Sequence, residues 1–162
     1  MIVTEKRIDM LKVMLSSISW RSAAGVLVVF GGLNLLWEVA QLPLYDIWYE
    51  ASSGEIAFAV LHCTAGDLLI GINSAIVALF LAAVLYRSTH PSVWAIGLIF
   101  VLIATAYTIY SEWLNVFMRK SWSYSELMPT IPPLETGLSP LLQWIIVPVA
   151  TIWIVQLRRH QL

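Results

Sequence analysis

Four long apolar segments follow one another along the chain, and short polar or proline-containing stretches separate them. The segments cover residues 22–42, 56–86, 92–117 and 139–157. Each is long enough to cross the hydrocarbon layer of a membrane, which is about 30 Å thick and needs about 20 helical residues. The pattern therefore predicts an all-α polytopic membrane protein, a single domain with four transmembrane helices in an up-and-down bundle.

The residues before the first apolar segment carry a different pattern. Residues 1–21 include the basic side chains Lys6, Arg7 and Lys12, together with apolar residues such as Leu11 at helical spacing. A helix that mixes basic and apolar positions in this way lies in the plane of the membrane interface rather than across the membrane. We therefore expect an N-terminal interfacial amphipathic helix.

The connection between the third and fourth apolar segments is long. Residues 118–138 contain three prolines, together with Trp122 and Tyr124. Prolines at this density disfavour a continuous helix, because each removes a backbone donor and fixes the local backbone angle. We predict an irregular outer loop that folds back over the helix ends as a lid.

Composition and charge limit the class of protein. Hydrophobic residues make up 59% of the chain and charged residues 12%, and the mean hydropathy is +0.80. A soluble domain usually carries about 25% charged residues. The formal net charge is −1 and the longest basic run is Arg158-Arg159, which excludes nucleic acid as an expected partner. The single cysteine, Cys63, excludes an intramolecular disulfide.

Basic residues are distributed unequally between the two sides of the predicted bundle. Of the nine Lys and Arg residues, seven fall on one side (Lys6, Arg7, Lys12, Arg21, Arg87, Arg158 and Arg159) and two on the other (Arg119 and Lys120). Lys and Arg accumulate on the cytoplasmic side of membrane proteins. The asymmetry predicts a multi-pass protein of the bacterial inner membrane with both termini in the cytoplasm.

Ionisable side chains interrupt three of the four apolar segments. Glu38 lies in the first, His62 and Asp67 in the second, and Glu112 in the third. A charged side chain at the centre of a membrane helix costs about 2.5–3.5 kcal/mol on insertion scales, so we expect these groups to face protein or water. Counting a rise of 1.5 Å per residue from the outer helix ends places Glu38, His62 and Glu112 at one level, roughly 8–9 Å inside the membrane.

Depth and helical angle set Asp67 apart from the other three ionisable residues. It lies deeper than His62, on a helix face turned about 120–140° away. We therefore predict that Glu38, His62 and Glu112 form one coupled unit in an outward-opening polar pocket, to which Asp67 does not belong directly. The candidate catalytic residues are His62, Glu38, Glu112 and Asp67, and the candidate binding residues are Trp122, Tyr124, Gln41 and Asn115.

Several chemistries fit these residue types. Interhelical hydrogen bonds alone would contribute about 0.6–2 kcal/mol each. One imidazole with two carboxylates is a conceivable metal-ligand set, but the spans hold a single histidine and no HExxH motif, so no metal site is assigned and the cofactor is unknown. His62 as base with Glu38 or Glu112 as proton donor is a second alternative, and a proton or ion path is a third. Whether the protein is an enzyme stays open.

Two parts of the sequence resemble known membrane proteins. The run Trp37-Glu38-Val39-Ala40-Gln41, followed by Gly66-Asp67 and Asn73, resembles the VanZ-like family, in which Glu-x-x-Gln on one helix precedes Asp and Asn on the next. The spacing differs from that family and its intervening arginine is absent, so the resemblance implies no activity. Residues 61–67 and 137–144 are similar to stretches of uncharacterised small four-helix bacterial inner-membrane proteins.

These features together predict a small inner-membrane protein whose outward-facing polar pocket binds a lipid or another apolar molecule, and modification of that molecule stays open. One alternative is a non-catalytic accessory or assembly subunit of a larger membrane complex, and another is a proton or ion transporter. The expected partners are membrane lipid and either a membrane-protein partner or further copies of the chain in a homo-oligomer. No nucleic acid is expected.

Overall fold

The computed structural model describes residues 19–85 and 92–160, and for residues 158–160 it describes the backbone alone. In chain order the elements are helix α1 (Trp20–Gln41), a 3₁₀ turn (Leu42–Leu44), the short helix α2 (Ile47–Glu50), helix α3 (Ser53–Leu85), helix α4 (Val93–Glu112), a π-helical turn (Trp113–Met118), strands β1 (Thr130–Ile131) and β2 (Thr136–Gly137), and helix α5 (Leu138–His160).

Helices α1, α3, α4 and α5 form the bundle, and each lies in a segment long and apolar enough to cross a membrane. α1 packs against α3 and α5, and α4 packs against the same two helices, so the four helices form a ring in chain order. Large apolar side chains cover the outside, including Leu36, Phe58 and Leu102, which are 67%, 69% and 62% exposed. An apolar surface of this extent is stable in contact with lipid. The predicted all-α four-helix bundle is confirmed, and the protein is a multi-pass membrane protein.

Serine side chains set the beginnings of α1 and α3. The Ser19 hydroxyl accepts a hydrogen bond from the Ser22 amide at 3.1 Å, so α1 begins at Trp20. At α3, the Ser52 amide donates to the Glu55 carboxylate at 2.9 Å, while the Glu55 amide donates to the Ser52 hydroxyl at 3.4 Å. This reciprocal capping box starts α3 three residues before the predicted position.

The predicted interfacial helix falls almost entirely outside the described residues. Residues 1–18 of the predicted 1–21 segment are not described, and Trp20 and Arg21 belong to α1. The interfacial helix stays a prediction.

The core of the bundle is built around the ring of Phe30 on α1. This ring packs edge-on against Phe100, with centroids 6.2 Å apart. It also packs against Trp144, with centroids 6.1 Å apart. Gly71 on α3 faces the same ring, and a Cβ atom there would lie 2.6 Å from the nearest ring carbon. The close approach of α1 and α3 therefore depends on the absence of a side chain at this position.

Residues 119–137, which we call the cap segment, lie against the connection between α1 and α3. The Asp46 amide donates to the Ser123 carbonyl at 3.1 Å, and the Ser125 amide donates to the Leu44 carbonyl at 3.0 Å. Strands β1 and β2 pair antiparallel within the cap segment. Backbone hydrogen bonds to residues 44–46 and the β1–β2 pairing order part of this segment, and its role as a lid stays a prediction. We call this end of the bundle the loop end.

Candidate functional site

A cavity of about 1120 Å³ extends from the loop end into the bundle. Helices α3 and α4 supply most of its lining, and α1 and α5 contribute a smaller part. Seven of the eight predicted site residues line it, namely Glu38, Gln41, His62, Asp67, Glu112, Asn115 and Trp122. The eighth, Tyr124, contacts Glu112 from the cap segment. Residues far apart in sequence therefore meet at one site, although some of the contacts among them differ from those predicted.

The Gln143 side chain on α5 joins three helices at the buried end of this site. Its Nε2 atom donates to Asp67 Oδ2 at 2.8 Å, to Asn34 Oδ1 at 2.9 Å and to Glu38 Oε1 at 3.3 Å. Gln143 and Asn34 are 2% and 0% exposed. We call Asn34, Glu38, Asp67 and Gln143 the polar cluster. It holds α1, α3 and α5 together and fixes the position of two carboxyl groups.

Sequence reasoning did not identify Gln143 as a site residue. The available signal was its position, because it is a lone amide within the apolar run from Leu141 to Ala150. An amide inside a membrane helix needs hydrogen-bond partners, and these are found on neighbouring helices. The contact between Gln143 on α5 and Asn34 on α1 is an interhelical hydrogen bond of this kind.

The expected separation of Asp67 from Glu38 is wrong, because both carboxyl groups bind the same amide nitrogen of Gln143. Depth counted from helix ends misplaced them, because the count assumed one common level for the ends of α1 and α3, whereas Glu38 and Asp67 reach the same Gln143 nitrogen. The angular argument separated Asp67 from His62 but did not decide which of them faces the bundle.

The structure also places His62 differently from the predicted coupled unit. Its side chain is exposed, and its ring stacks on Phe58 at a centroid distance of 5.6 Å and an interplanar angle of 19°. His62 therefore lies at the outer rim of the cavity rather than between Glu38 and Glu112. Asp67 occupies the inward face of α3 that the prediction gave to His62.

Glu112 on α4 is held by the cap segment. The Tyr124 hydroxyl donates a hydrogen bond to the Glu112 carboxylate, and the Gly137 amide donates to the Tyr124 oxygen at 3.0 Å. The Tyr124 ring also packs edge-on against Tyr45, with centroids 5.6 Å apart. Tyr124 therefore ties the cap segment to α4, while Trp122 supplies part of the cavity lining.

Gln41 and Asn115 have positioning contacts as well as a place in the lining. Gln41 Nε2 donates to Glu38 Oε1 at 2.9 Å, and the Ser139 hydroxyl donates to Gln41 Oε1 at 2.8 Å. The backbone carbonyl of Asn115 accepts a hydrogen bond from the Ser121 amide at 2.8 Å, which fixes the start of the cap segment. Gln41 thus orients Glu38, and Asn115 orients the cap.

Burial shifts the titration of the two tyrosines at the loop end. It raises the pKa of Tyr45 well above its usual value, and the nearby charge of Glu112 raises it further. Burial and then the Glu112 charge also raise the pKa of Tyr124. Both phenols therefore stay protonated and uncharged beyond the pH at which an exposed tyrosine ionises.

Above a pH of about 10, we expect the free energy of unfolding to fall as pH rises. In the unfolded chain Tyr45 and Tyr124 ionise at their usual pKa, whereas in the folded chain they keep their protons, so the unfolded state binds fewer protons in this range. Below that pH the two tyrosines make their full contribution to the free energy of unfolding. Unfolding titrations should show a shallower alkaline loss of the free energy of unfolding for Tyr45→Phe than for wild type. Equal slopes for wild type and Tyr45→Phe would contradict this expectation.

No group of three or more His, Cys, Asp or Glu side chains within residues 19–85 and 92–157 is placed to hold a metal ion. The arrangement supplies carboxyl oxygens as hydrogen-bond acceptors, which suits binding of a donor group or transfer of a proton.

No family model matches the sequence, and no curated protein or solved structure is significantly similar to it. The resemblance to the VanZ-like family therefore stays a prediction.

Proposed function

We propose that the protein binds a membrane lipid or another apolar molecule in the cavity lined by α3 and α4. The observation that supports this function is the pairing of apolar walls with carboxyl groups in one cavity. Ile70, Val77 and Ile103 contribute apolar lining, and Glu38 and Asp67 contribute carboxyl groups. Ligand sites typically combine a mostly apolar lining of about 300–1,000 Å³ with a few placed polar groups.

The exposure of some lining residues supports entry from the membrane. Phe58, Leu69 and Tyr107 line the cavity and are 69%, 62% and 49% exposed on the outside of the bundle. Helix surfaces at this level lie against lipid chains. A molecule with a long hydrocarbon chain would therefore reach the cavity sideways without crossing water.

The direction of the polar side chains favours binding over a purely structural role in a larger complex. An accessory subunit would present its polar stripes outward to a partner helix. Here Glu38, Asp67 and Glu112, from three helices, converge on an internal cavity. Since Glu38 and Asp67 bind the same amide nitrogen of Gln143 and both line the cavity, acid–base modification of the bound molecule is a second candidate function.

Filling the cavity should abolish binding. Gly66 lines the cavity, and a Cβ atom there would meet nothing within 4 Å, so Gly66→Trp places an indole in the ligand space without a backbone clash. We expect the amount of lipid or other apolar molecule that copurifies to fall by about tenfold, measured by mass spectrometry of organic extracts.

A mass change on incubating that molecule with wild-type protein, absent for Gly66→Trp, would support the second candidate function.

Gly32→Trp is the matched control for this substitution. Gly32 is exposed, lies outside the cavity lining and also has nothing within 4 Å of a built Cβ atom. It should keep the copurifying molecule. Retention of the same amount in Gly66→Trp would contradict the proposed function.

We further propose that the protein lies in a bacterial inner membrane with both termini in the cytoplasm and the loop end outside. Arg21 lies in the first turn of α1 at one end of the bundle, while Arg119 and Lys120 lie at the loop end. A reporter active only in the periplasm, fused to the C-terminus, should give no signal, whereas a cytoplasm-active reporter should. The reverse result would place the cavity on the cytoplasmic side.

A further inference from the structure

We propose that the molecule bound in this cavity is an amphiphile with a primary-amine head group. This head group is bound by the side chains of Glu38, Asp67, Glu112 and Thr108. This inference rests on the proposed function, because it names the ligand class for the same cavity. The apolar walls take the hydrocarbon chain, and the oxygen atoms of the four side chains take the ammonium group.

Charge is the first argument for a cationic head group. The three carboxyl groups that converge on the cavity come from α1, α3 and α4. Among the described lining residues, Arg119 is the only lysine or arginine. Charges inside a membrane interact strongly because the local dielectric constant is low, and unbalanced carboxylates there favour a cation.

Hydrogen bonding within the cluster leaves acceptors in excess of donors. The Gln143 amide has two hydrogens but contacts three acceptors, and its 3.3 Å distance to Glu38 is the longest of the three. A carboxylate can accept about four hydrogen bonds. The protein's own donors therefore do not saturate the oxygens that face the cavity.

Thr108 on α4 is an independent observation that points to a ligand. It is 5% exposed, lines the cavity, and its hydroxyl has no hydrogen-bond partner among the described residues. The hydroxyls of Thr64 and Thr151 instead donate to the carbonyl four residues earlier, both at 2.8 Å. A buried hydroxyl is rarely left unpaired. A ligand N–H group beside Thr108, one helical turn from Glu112, would supply the missing partner.

The number of acceptors favours a primary amine over other head groups. A primary ammonium carries three N–H donors, which match acceptors arriving from several directions. An alcohol has one donor and a trimethylammonium group has none. The same amine chemistry occurs in a free long-chain amine and in the phosphatidylethanolamine head group, so the experiment must separate these two sources.

The test compares ligands that share one chain and differ in the head group. Protein in nanodiscs is titrated with hexadecylamine, hexadecan-1-ol and hexadecyltrimethylammonium. Binding is followed by intrinsic tryptophan fluorescence, to which Trp122 and Trp144 in the cavity lining contribute. We expect hexadecylamine to bind at least about tenfold more tightly than the other two. In a second arm, protein-bound phospholipid is measured by native mass spectrometry from nanodiscs of mixed phosphatidylethanolamine and phosphatidylcholine.

Variants connect this preference to the named side chains. Asp67→Asn and Glu112→Gln should weaken hexadecylamine binding by about tenfold and leave hexadecan-1-ol binding unchanged. Thr108→Val, which keeps the shape of the side chain, should weaken amine binding several-fold. Glu50→Gln, at an exposed residue outside the lining, should change neither. Retained hexadecan-1-ol binding shows that a variant is folded.

Each outcome decides between the proposals. A preference for hexadecylamine supports a free amine as ligand, and enrichment of phosphatidylethanolamine over phosphatidylcholine supports the lipid head group. Equal affinity for the three hexadecyl compounds, without lipid enrichment, would overturn the amine inference and leave the proposed function standing. Failure of every compound and lipid to bind would overturn both.

Discussion

Replacing Gln143 with leucine is expected to lower the free energy of unfolding by about 3 kcal/mol or more, since a hydrogen bond to a charged group contributes about 1.5–3 kcal/mol and its loss leaves buried acceptors unpaired. The amide of Gln143 contacts Asn34, Glu38 and Asp67, which lie on two other helices. Leucine has nearly the same size, so packing changes little and the effect reports the lost donors.

Unfolding in a titration with SDS, followed by circular dichroism, measures this change. Gln156→Leu is the matched control, because Gln156 lies on the same helix and is only partly buried. We expect it to change the free energy of unfolding by less than about 0.5 kcal/mol, as is usual for substitutions away from buried networks. Equal effects of the two substitutions would show that Gln143 does not hold the helices together.

Replacing Gly71 with alanine should lower the free energy of unfolding by about 1–3 kcal/mol, the usual cost of overpacking a core. A Cβ atom at this position would lie 2.6 Å and 2.9 Å from two ring carbons of Phe30. That ring is 7% exposed and is packed against Phe100 and Trp144, so it has little room to shift.

The opposite sign is expected at Gly25, where a Cβ atom meets nothing within 4 Å. Gly25→Ala should stabilise α1 by up to about 1 kcal/mol, because alanine is the better helix former. Combining Gly71→Ala with Phe30→Leu should recover part of the loss, and the double-mutant cycle should give a coupling energy above about 0.5 kcal/mol. Additive effects would mean that α1 and α3 do not meet through this pair.

The sequence by itself determined the class of protein and the positions of its helices. Apolar segments long enough to cross a membrane fix the number of spans, because unpaired backbone groups are too costly in lipid to allow other structures. The predicted span 92–117 agrees closely with α4 and its π-helical turn, which end at Met118. The predicted beginnings of helices were less accurate where they depend on local capping, because the capping pair Ser52 and Glu55 extends α3.

Seven of the eight site residues predicted from the sequence line the cavity, because ionisable side chains in a membrane helix must face the protein interior or water. The sequence did not determine their partners. Helical periodicity gives angles between residues of one helix, but it does not give the rotation of that helix against its neighbours. The exposure of His62 and the inward position of Asp67 follow from that rotation.

Only the tertiary structure decided how α5 and the cap segment complete the site. Gln143 is 76 residues from Asp67 and 109 from Asn34, so no local pattern connects them. Tyr124 reaches Glu112 because the cap segment pairs with residues 44–46 beside the helix ends. Contacts of this kind depend on the packing of all four helices. A buried polar side chain must find a hydrogen-bond partner, and the packing decides which groups lie close enough to be that partner.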